Sequence, residues 1–463
     1  MTHRTVKHLI IGAGPAGLGA AYRLCELGED DFHIVESNRW VGGLAASFVD
    51  DHGFTWDIGG HVQFSHYPYF DTVMDRALGK DGWLSHERES WVWMKERFVP
   101  YPFQNNIRYL PKESLWRCLK GIIDITKSPP PPPTNFHEWV LSIFGEGIAA
   151  EFMMPYNFKV WAYPLAEMAF QWIGERVSVV DLERVTRNIV LDKDDLSWGP
   201  NNLFRFPVRG GTGAIWKAVG ELVGLKHVTL DRNVVEIDPA QKRATLSDGE
   251  VIGYTHLLST VPVDRLARLV TGLPTELVAA AGRLKYSSSN IVGVGLRGQP
   301  SPALAPKCWM YFPEENCPFY RVTLFSKYSP YNVPDSTQFF SLMTETSESP
   351  VKPVDQATLV SDTIAGLRAT RLISSTDEIV STWSYRAAYG YPTPSLERDA
   401  ILNRVIPALE SRGVYSRGRF GGWKYEVSNQ DHTFMQGVEW ANFIVEGAPE
   451  TTYQVTRPNT VRT

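Results

Sequence analysis

Cysteine is scarce. The four in 463 residues (Cys25, Cys118, Cys308, Cys317) include no C-x-x-C pair and are too scattered for a disulfide framework, so they read as reduced thiols of a cytoplasmic chain. The eleven histidines form no H-E-x-x-H and no clustered Cys/His set, and neither a structural nor a catalytic metal is expected. Long apolar runs are missing too. The stretch Leu9 to Leu18 is cut by Gly12, Gly14, Pro15 and Gly17, falls short of the ~20 residues of a bilayer span, and is followed by no cleavage pattern. Membrane insertion is not expected. With 46 Lys plus Arg against 51 Asp plus Glu, a net charge of −5 leaves no general pull toward nucleic acid or anionic lipid. Any bound anion must therefore be gripped locally. What the chain does have is 43% hydrophobic residues and 12% aromatics, enough for substantial cores in about three domains at ~150 residues each.

The N-terminus reads as a βαβ unit: a buried strand over 6–11, a small-residue helix over 16–27 closed by Gly28, and a second strand from Phe32 to Val35. Trp91 to Phe103 reads as two strands around Lys95, Glu96 and Arg97, restricted to a sheet edge by Pro100 and Pro102. Helical periodicity then dominates from about 105 to 195, with Asn135 and Glu138 capping a helix that runs to Phe144. Pro129 to Pro133 reads as a stiff, exposed polyproline spacer. From about 227 strands return: His227 to Ile237, a hairpin turn at Asp248-Gly249, Leu257 to Val261, Asn290 to Leu296, Trp309 to Phe312, Tyr320 to Phe325 and Ile379 to Tyr385. Helices from Ser395 to Leu409 and Asp431 to Val445 close the chain.

One motif carries a cofactor. Gly12-Ala13-Gly14-Pro15-Ala16-Gly17 is a G-x-G-x-x-G directly after a strand and opening a helix, and Glu36 ends the next strand. The glycines permit a tight turn, close approach to a pyrophosphate, and helix–strand packing; the helix N-terminus favours the negative charge, and the carboxylate accepts from ribose hydroxyls. The motif predicts an adenosine dinucleotide and does not by itself choose FAD over NAD.

Arg39-Trp40-Val41-Gly42-Gly43-Leu44-Ala45, with Asp57-Ile58-Gly59-Gly60-His61 behind it, resembles the extended FAD segment of flavin amine oxidases and UDP-galactopyranose mutases. Further runs resemble the mutases of eukaryotic, especially fungal, type. They include Val99-Pro100-Tyr101-Pro102-Phe103-Gln104, Pro155-Tyr156-Asn157-Phe158-Lys159-Val160-Trp161, Gly174-Glu175-Arg176-Val177, Asn316-Cys317-Pro318-Phe319-Tyr320-Arg321, Gly390-Tyr391-Pro392 and Tyr425 through His432. The chain is shorter than the fungal enzymes between Asn332 and Leu342. Self-association into a homo-oligomer stays open.

The resemblance implies an α/β fold: a Rossmann-like FAD-binding domain (1–86, 202–262, 412–463), an inserted helical bundle that binds substrate (105–195), and a mostly antiparallel sheet domain (87–104, 196–201, 263–411). It implies isomerisation of a UDP-hexopyranose, by default UDP-galactopyranose, to the furanose through a flavin N5–sugar adduct, without net redox. The catalytic set it implies is Arg176 and Arg321 on the diphosphate, with Gly60 and His61 beside the flavin. Substrate contacts would come from Tyr101, Phe103, Gln104, Phe152, Met153, Tyr156, Asn157, Trp161, Asn201, Trp309, Tyr311, Tyr391, Tyr425 and Asn429. The FAD shell would be Gly12, Gly14, Gly17, Glu36, Gly42, Gly43, Gly59, Gly60, His61, Arg88, Arg419, Asn429 and Gln430. FAD would be noncovalent and active when reduced, with NADPH or NADH visiting the same cleft as transient reductant. Three other readings stay open at this point: an amine oxidase or desaturase, a mutase for a related UDP- or dTDP-sugar, and a silent nucleotide-sugar sensor.

Overall fold

A computed structural model describes residues 3–174, 177–196 and 203–454. Two seven-stranded sheets carry the architecture. The first is built around His3–Ile11, whose Leu9, Ile10 and Ile11 are buried. That strand pairs in parallel with Phe32–Val35 and with Val251–Ser259. Val228–Thr229 and Val414–Ser416 add further parallel pairings, while Val234–Asp238 and Arg243–Leu246 continue the sheet as an antiparallel hairpin. The strand predicted over His227 to Ile237 is therefore divided, its first residues at one edge of this sheet and its last at the other. The chain turns between them at Asp231, φ +59°, where the Asp231 amide donates to the Asn38 carbonyl and the Arg232 amide to that of Glu36.

The fingerprint helix, Pro15–Glu26, crosses the closing helix, Gln430–Glu446, at backbone distance. A Cβ on Gly437 would lie 1.9 Å from the Ala16 carbonyl oxygen, and one on Gly19 2.4 Å from that of Phe434. Only glycine permits this contact, and it joins the fingerprint helix and the closing helix into one layer.

The second sheet runs Ile379–Pro392, Tyr286–Arg297, Phe339–Glu348, Arg321–Leu324, Trp309–Tyr311, Ser90–Met94, Arg97–Pro100, and all but one of its pairings are antiparallel. The hairpin predicted around Lys95 to Arg97 is present, and its proline-bearing strand forms the edge. Phe339–Glu348 was not foreseen. Its second half, Thr344-Glu345-Thr346-Ser347, has the polarity of a loop, yet all four residues are buried in the middle of the sheet. Lying against this sheet, the small hairpin Ser47–Val49/Thr55–Asp57 sets Phe54 on Gly295 and Trp56 on Gly293, where a Cβ would come within 2.7 and 2.5 Å of the rings. That seating fixes where the chain emerges as Gly59-Gly60-His61.

The helical segment contains Lys112–Lys127, Phe136–Ile148, Met154–Trp161 and Leu182–Val190. The Asn135 side chain accepts the Glu138 amide at 3.0 Å, and Glu138 answers the Thr134 amide at 2.7 Å, one residue earlier than in a standard capping box. A wider helical turn, Ala149–Met153, precedes Met154–Trp161 and accommodates Pro155, which has no amide to donate. Pro129 to Pro132 are exposed between the first two helices. Helices Pro68–Leu78, Gly213–Val223 and Leu359–Ala369 were not foreseen. Among the described residues no helix is long and apolar enough to cross a membrane.

The crossing at Gly437 yields a direct test. Gly437→Ala forces a methyl into the Ala16 carbonyl and should destabilise the protein by about 1–3 kcal/mol, the usual cost of overpacking. A wild-type urea midpoint and melting temperature would show that the two helices part at no cost.

Candidate functional site

The chain leaves His3–Ile11 through Gly12 at φ +103°, where a Cβ would sit 2.0 Å from Thr260 Oγ1. A Cβ on Gly17 would sit 1.9 Å from the Gly12 carbonyl oxygen. Gly14 differs: its Cβ would meet nothing nearer than Gly43 Cα at 4.0 Å, so the protein's own packing does not demand glycine there. Open space over the helix N-cap is what a pyrophosphate lying on the amides requires. Gly42 and Gly43, both at positive φ, wall the turn, and the Gly42 amide donates to the Ala13 carbonyl at 2.8 Å. Buried Glu36 accepts the Ala13 amide at 2.7 Å on Oε2, and the Asn38 backbone amide at 2.8 Å, the Asn38 side-chain amide at 2.7 Å and the Ser37 hydroxyl at 3.2 Å on Oε1, which holds its carboxylate at the strand end. On the closing-helix side, Asn429 occupies the N-cap position and Gln430 Oε1 accepts from Trp216 Nε1 at 2.7 Å.

A second cluster is organised by Glu345, a residue the sequence reading passed over. Its carboxylate takes Arg321 Nε and Nη2, both at 2.7 Å, the Gly60 amide at 2.9 Å and the Tyr320 hydroxyl at 2.8 Å. Burial would push this carboxyl up, but the Arg321 guanidinium, the Gly60 amide and the Tyr320 hydroxyl hold it below its ordinary value. Burial would likewise lower Arg321, and the Glu345 charge keeps it raised. The pair is ionised. Two of the five guanidinium N–H groups serve Glu345, and among the described residues the other three meet no acceptor. Gly59 has φ +98°, whereas Gly60 is hemmed in by side chains: a Cβ there would lie 3.0 Å from Thr323 Oγ1 and 3.3 Å from Glu345 Oε1. His61 is lowered to about 4 by burial, with Arg419 and Arg321 pushing it further down and Glu345 opposing them, so its imidazole is neutral at physiological pH. Its Nδ1 is buried and has no hydrogen-bond partner among the described residues.

Around Arg321 the tyrosines converge. Tyr311 lies 5.1 Å from Tyr101 and 5.3 Å from Tyr156 between ring centres, and its hydroxyl accepts from Trp309 Nε1 at 2.7 Å. Tyr391 reaches the Tyr320 hydroxyl at 3.5 Å and stands 5.8 Å from Tyr425; Trp161 sits edge-on to both. The Arg419 guanidinium covers Tyr391 at 4.9 Å while donating to the Gly390 carbonyl and the Ser428 hydroxyl. Arg88 lies 4.6 Å over Trp309. The result is a half-buried basin of phenols around one arginine, beside the Gly60–His61 loop.

Other expected contacts stand behind this basin. Phe103 and Phe152 are fully buried against each other, with Phe152 stacked on Tyr156; Met153 is buried too. Gln104 is buried with its amide donating to the Ser178 carbonyl, and the Asn157 amide donates to the Met153 carbonyl within its own helix. As placed, these side chains support the basin wall. Arg176 and Asn201 lie outside the described residues. Glu345 and Tyr320 are the residues the sequence reading missed: Tyr320 neighbours a recognised arginine, while Glu345 has no local signal.

A family model for flavin-containing amine oxidoreductases matches residues 15–415. The chain is similar to a crystal structure of reduced UDP-galactopyranose mutase, with 51% identity, 97% of this chain and 96% of that one covered, and a TM-score of 0.94. A protoporphyrinogen oxidase from Exiguobacterium sp. 255-15, 16% identical over 94% of this chain and 98% of its own with a TM-score of 0.69, shares the fold. Zeta-carotene desaturase of Capsicum annuum is 35% identical over 82 residues, which is 18% of this chain and 14% of that protein. The chain thus belongs to the flavin-containing amine oxidoreductases and, within them, to the UDP-galactopyranose mutase family.

Proposed function

We propose that the protein interconverts UDP-galactopyranose and UDP-galactofuranose with reduced, noncovalently bound FAD and no net redox change. The observation that carries the reading is the tyrosine basin around Arg321, set against the Gly60–His61 loop. A protonated amine, the substrate of an amine oxidase, would be repelled there by Arg321 and Arg419. A nucleoside diphosphate finds unused guanidinium N–H groups and neutral phenol donors.

In this reading the residues divide by task. Gly12, Gly14, Gly17, Gly42, Gly43 and Glu36 hold the FAD pyrophosphate and ribose, and Gly59, Gly60, His61, Arg88, Arg419, Asn429 and Gln430 border the flavin. Reduced FAD supplies its N5 nitrogen as nucleophile for the anomeric carbon. Arg321, and Arg176 by family resemblance, stabilise the charge that builds on the departing UDP, with Tyr311, Tyr391 and Tyr425 donating to the same oxygens. Tyr101 and Tyr156 offer aromatic faces to uracil, with Trp161 buried behind Tyr391 and Tyr425. NADPH or NADH reaches the flavin through the same basin, with the diphosphate arginines receiving it. The three-domain division stated above and a cytoplasmic setting, in keeping with four unpaired thiols, complete the proposal.

Three outcomes test it. Purified protein should show an oxidised-flavin spectrum and release FAD on denaturation; release of NAD would refute the cofactor. Arg321→Ala should retain FAD and lose about 1.5–3 kcal/mol of UDP binding, roughly tenfold to a hundredfold, in a calorimetric titration. Wild-type affinity would remove Arg321 from the diphosphate site. Dithionite-reduced protein, held anaerobic, should convert many sugars per flavin, followed by chromatography of the two UDP-sugars, and air should silence it. Consumption of one reductant per sugar would instead favour a true oxidoreductase.

A further inference from the structure

Away from the basin, three side chains converge that no sequence motif connects. His66 lies in the loop that leaves His61, and Asp431 and His432 open the closing helix. The Asp431 carboxylate, 1% exposed, has His66 Nδ1 at 2.8 Å from Oδ2 and His432 Nδ1 at 2.9 Å from Oδ1; the His66 amide donates to Oδ2 at 3.2 Å. The donor atoms of all three residues lie within 4.8 Å of one another. The two imidazoles are tilted at 57° with centres 5.0 Å apart, so they converge on the carboxylate without stacking on each other.

We propose that His66, Asp431 and His432 form a binding site for a divalent transition-metal ion of the zinc class, with two imidazole nitrogens and one carboxylate oxygen as protein ligands and water completing the shell. Two nitrogens and one oxygen, with no thiolate, make a ligand set that suits zinc, cobalt or nickel over calcium or magnesium. Without an ion, protons on the imidazole nitrogens must bridge to the carboxylate; a cation bonded at about 2.0–2.2 Å would replace them. The required contraction falls to His66, whose side chain is 52% exposed and therefore reachable and free to turn. Local charge also favours a cation. The Asp431 carboxylate is buried at the centre of the triad, and Arg205 is engaged by Asp75 at 2.6 Å.

The position gives such an ion a consequence. His66 is five residues beyond His61, and Asp431 directly follows Gln430, so the ion would pin the loop beside the basin to the first turn of the closing helix. It would not be a reactant.

The test uses chelator-treated, FAD-loaded full-length protein titrated with Zn2+ by calorimetry and with Co2+ by visible spectroscopy. Expected are one tight equivalent, the absorption of four-coordinate cobalt, and a melting temperature that rises with Zn2+. His66→Ala and His432→Ala should each weaken binding at least about tenfold, and His66→Ala should abolish the Zn2+-dependent rise while retaining the flavin spectrum. Absence of a one-to-one phase in the wild type, or unchanged affinity in both histidine variants, would overturn the site and leave a hydrogen-bonded triad.

Discussion

The buried Glu345–Arg321 ion pair is the contact on which the site's geometry depends. An ion pair removed from water is tolerable only if its remaining hydrogen-bonding capacity is met, and here Glu345 meets it with four donors from two parts of the chain, Gly60 and Tyr320-Arg321. Two adjacent strands, Arg321–Leu324 and Phe339–Glu348, are locked in register by the pair itself. The Gly60 amide brings in the Gly60–His61 loop, and Tyr320 brings in Tyr391. Taking one partner from such a pair costs on the order of 3–5 kcal/mol, because the survivor stays buried and charged. The strands of the second sheet and the Gly60–His61 loop are thereby held to one another through a single carboxylate.

Glycine sets the second constraint, in two distinct ways. At Gly12, Gly17, Gly19 and Gly437 the surrounding protein leaves no room for a Cβ, and the residue is demanded by packing. At Gly14 there is room, and packing within the protein does not demand glycine. The packing glycines explain why residues 429–436 lie beside the fingerprint helix: the close crossing at Ala16 and Gly437 carries the closing helix back to the start of the chain.

Legibility followed locality. The βαβ opening, the Lys95–Arg97 hairpin and the Asn135 cap depend on neighbours a few residues away, and all three are where the sequence placed them. The strand Phe339–Glu348 escaped because its Thr-Glu-Thr-Ser half is polar and buried, the reverse of the pattern by which strands are recognised; its burial is made tolerable by Glu345's partners and by the Ser347 hydroxyl donating to the Lys159 carbonyl. The run His227 to Ile237 has uniform strand chemistry, and only long-range pairing, with Phe32–Val35 at one end and Arg243–Leu246 at the other, divides it.

By itself, then, the sequence determined the dinucleotide fingerprint, the position of Glu36, the helical character of the segment after residue 105 and the family, since each rests on residue types at short, fixed spacing. Tertiary structure alone decided that Arg321 is held by Glu345, that Tyr101, Tyr156, Tyr311, Tyr391 and Tyr425 share one basin, that Phe103 and Phe152 stand behind it, and that His66 meets Asp431 across the length of the chain. Those contacts join segments tens to hundreds of residues apart. No local pattern encodes them, because their energy comes from burial and charge neutralisation that exist only once both sheets and the helical insertion have packed.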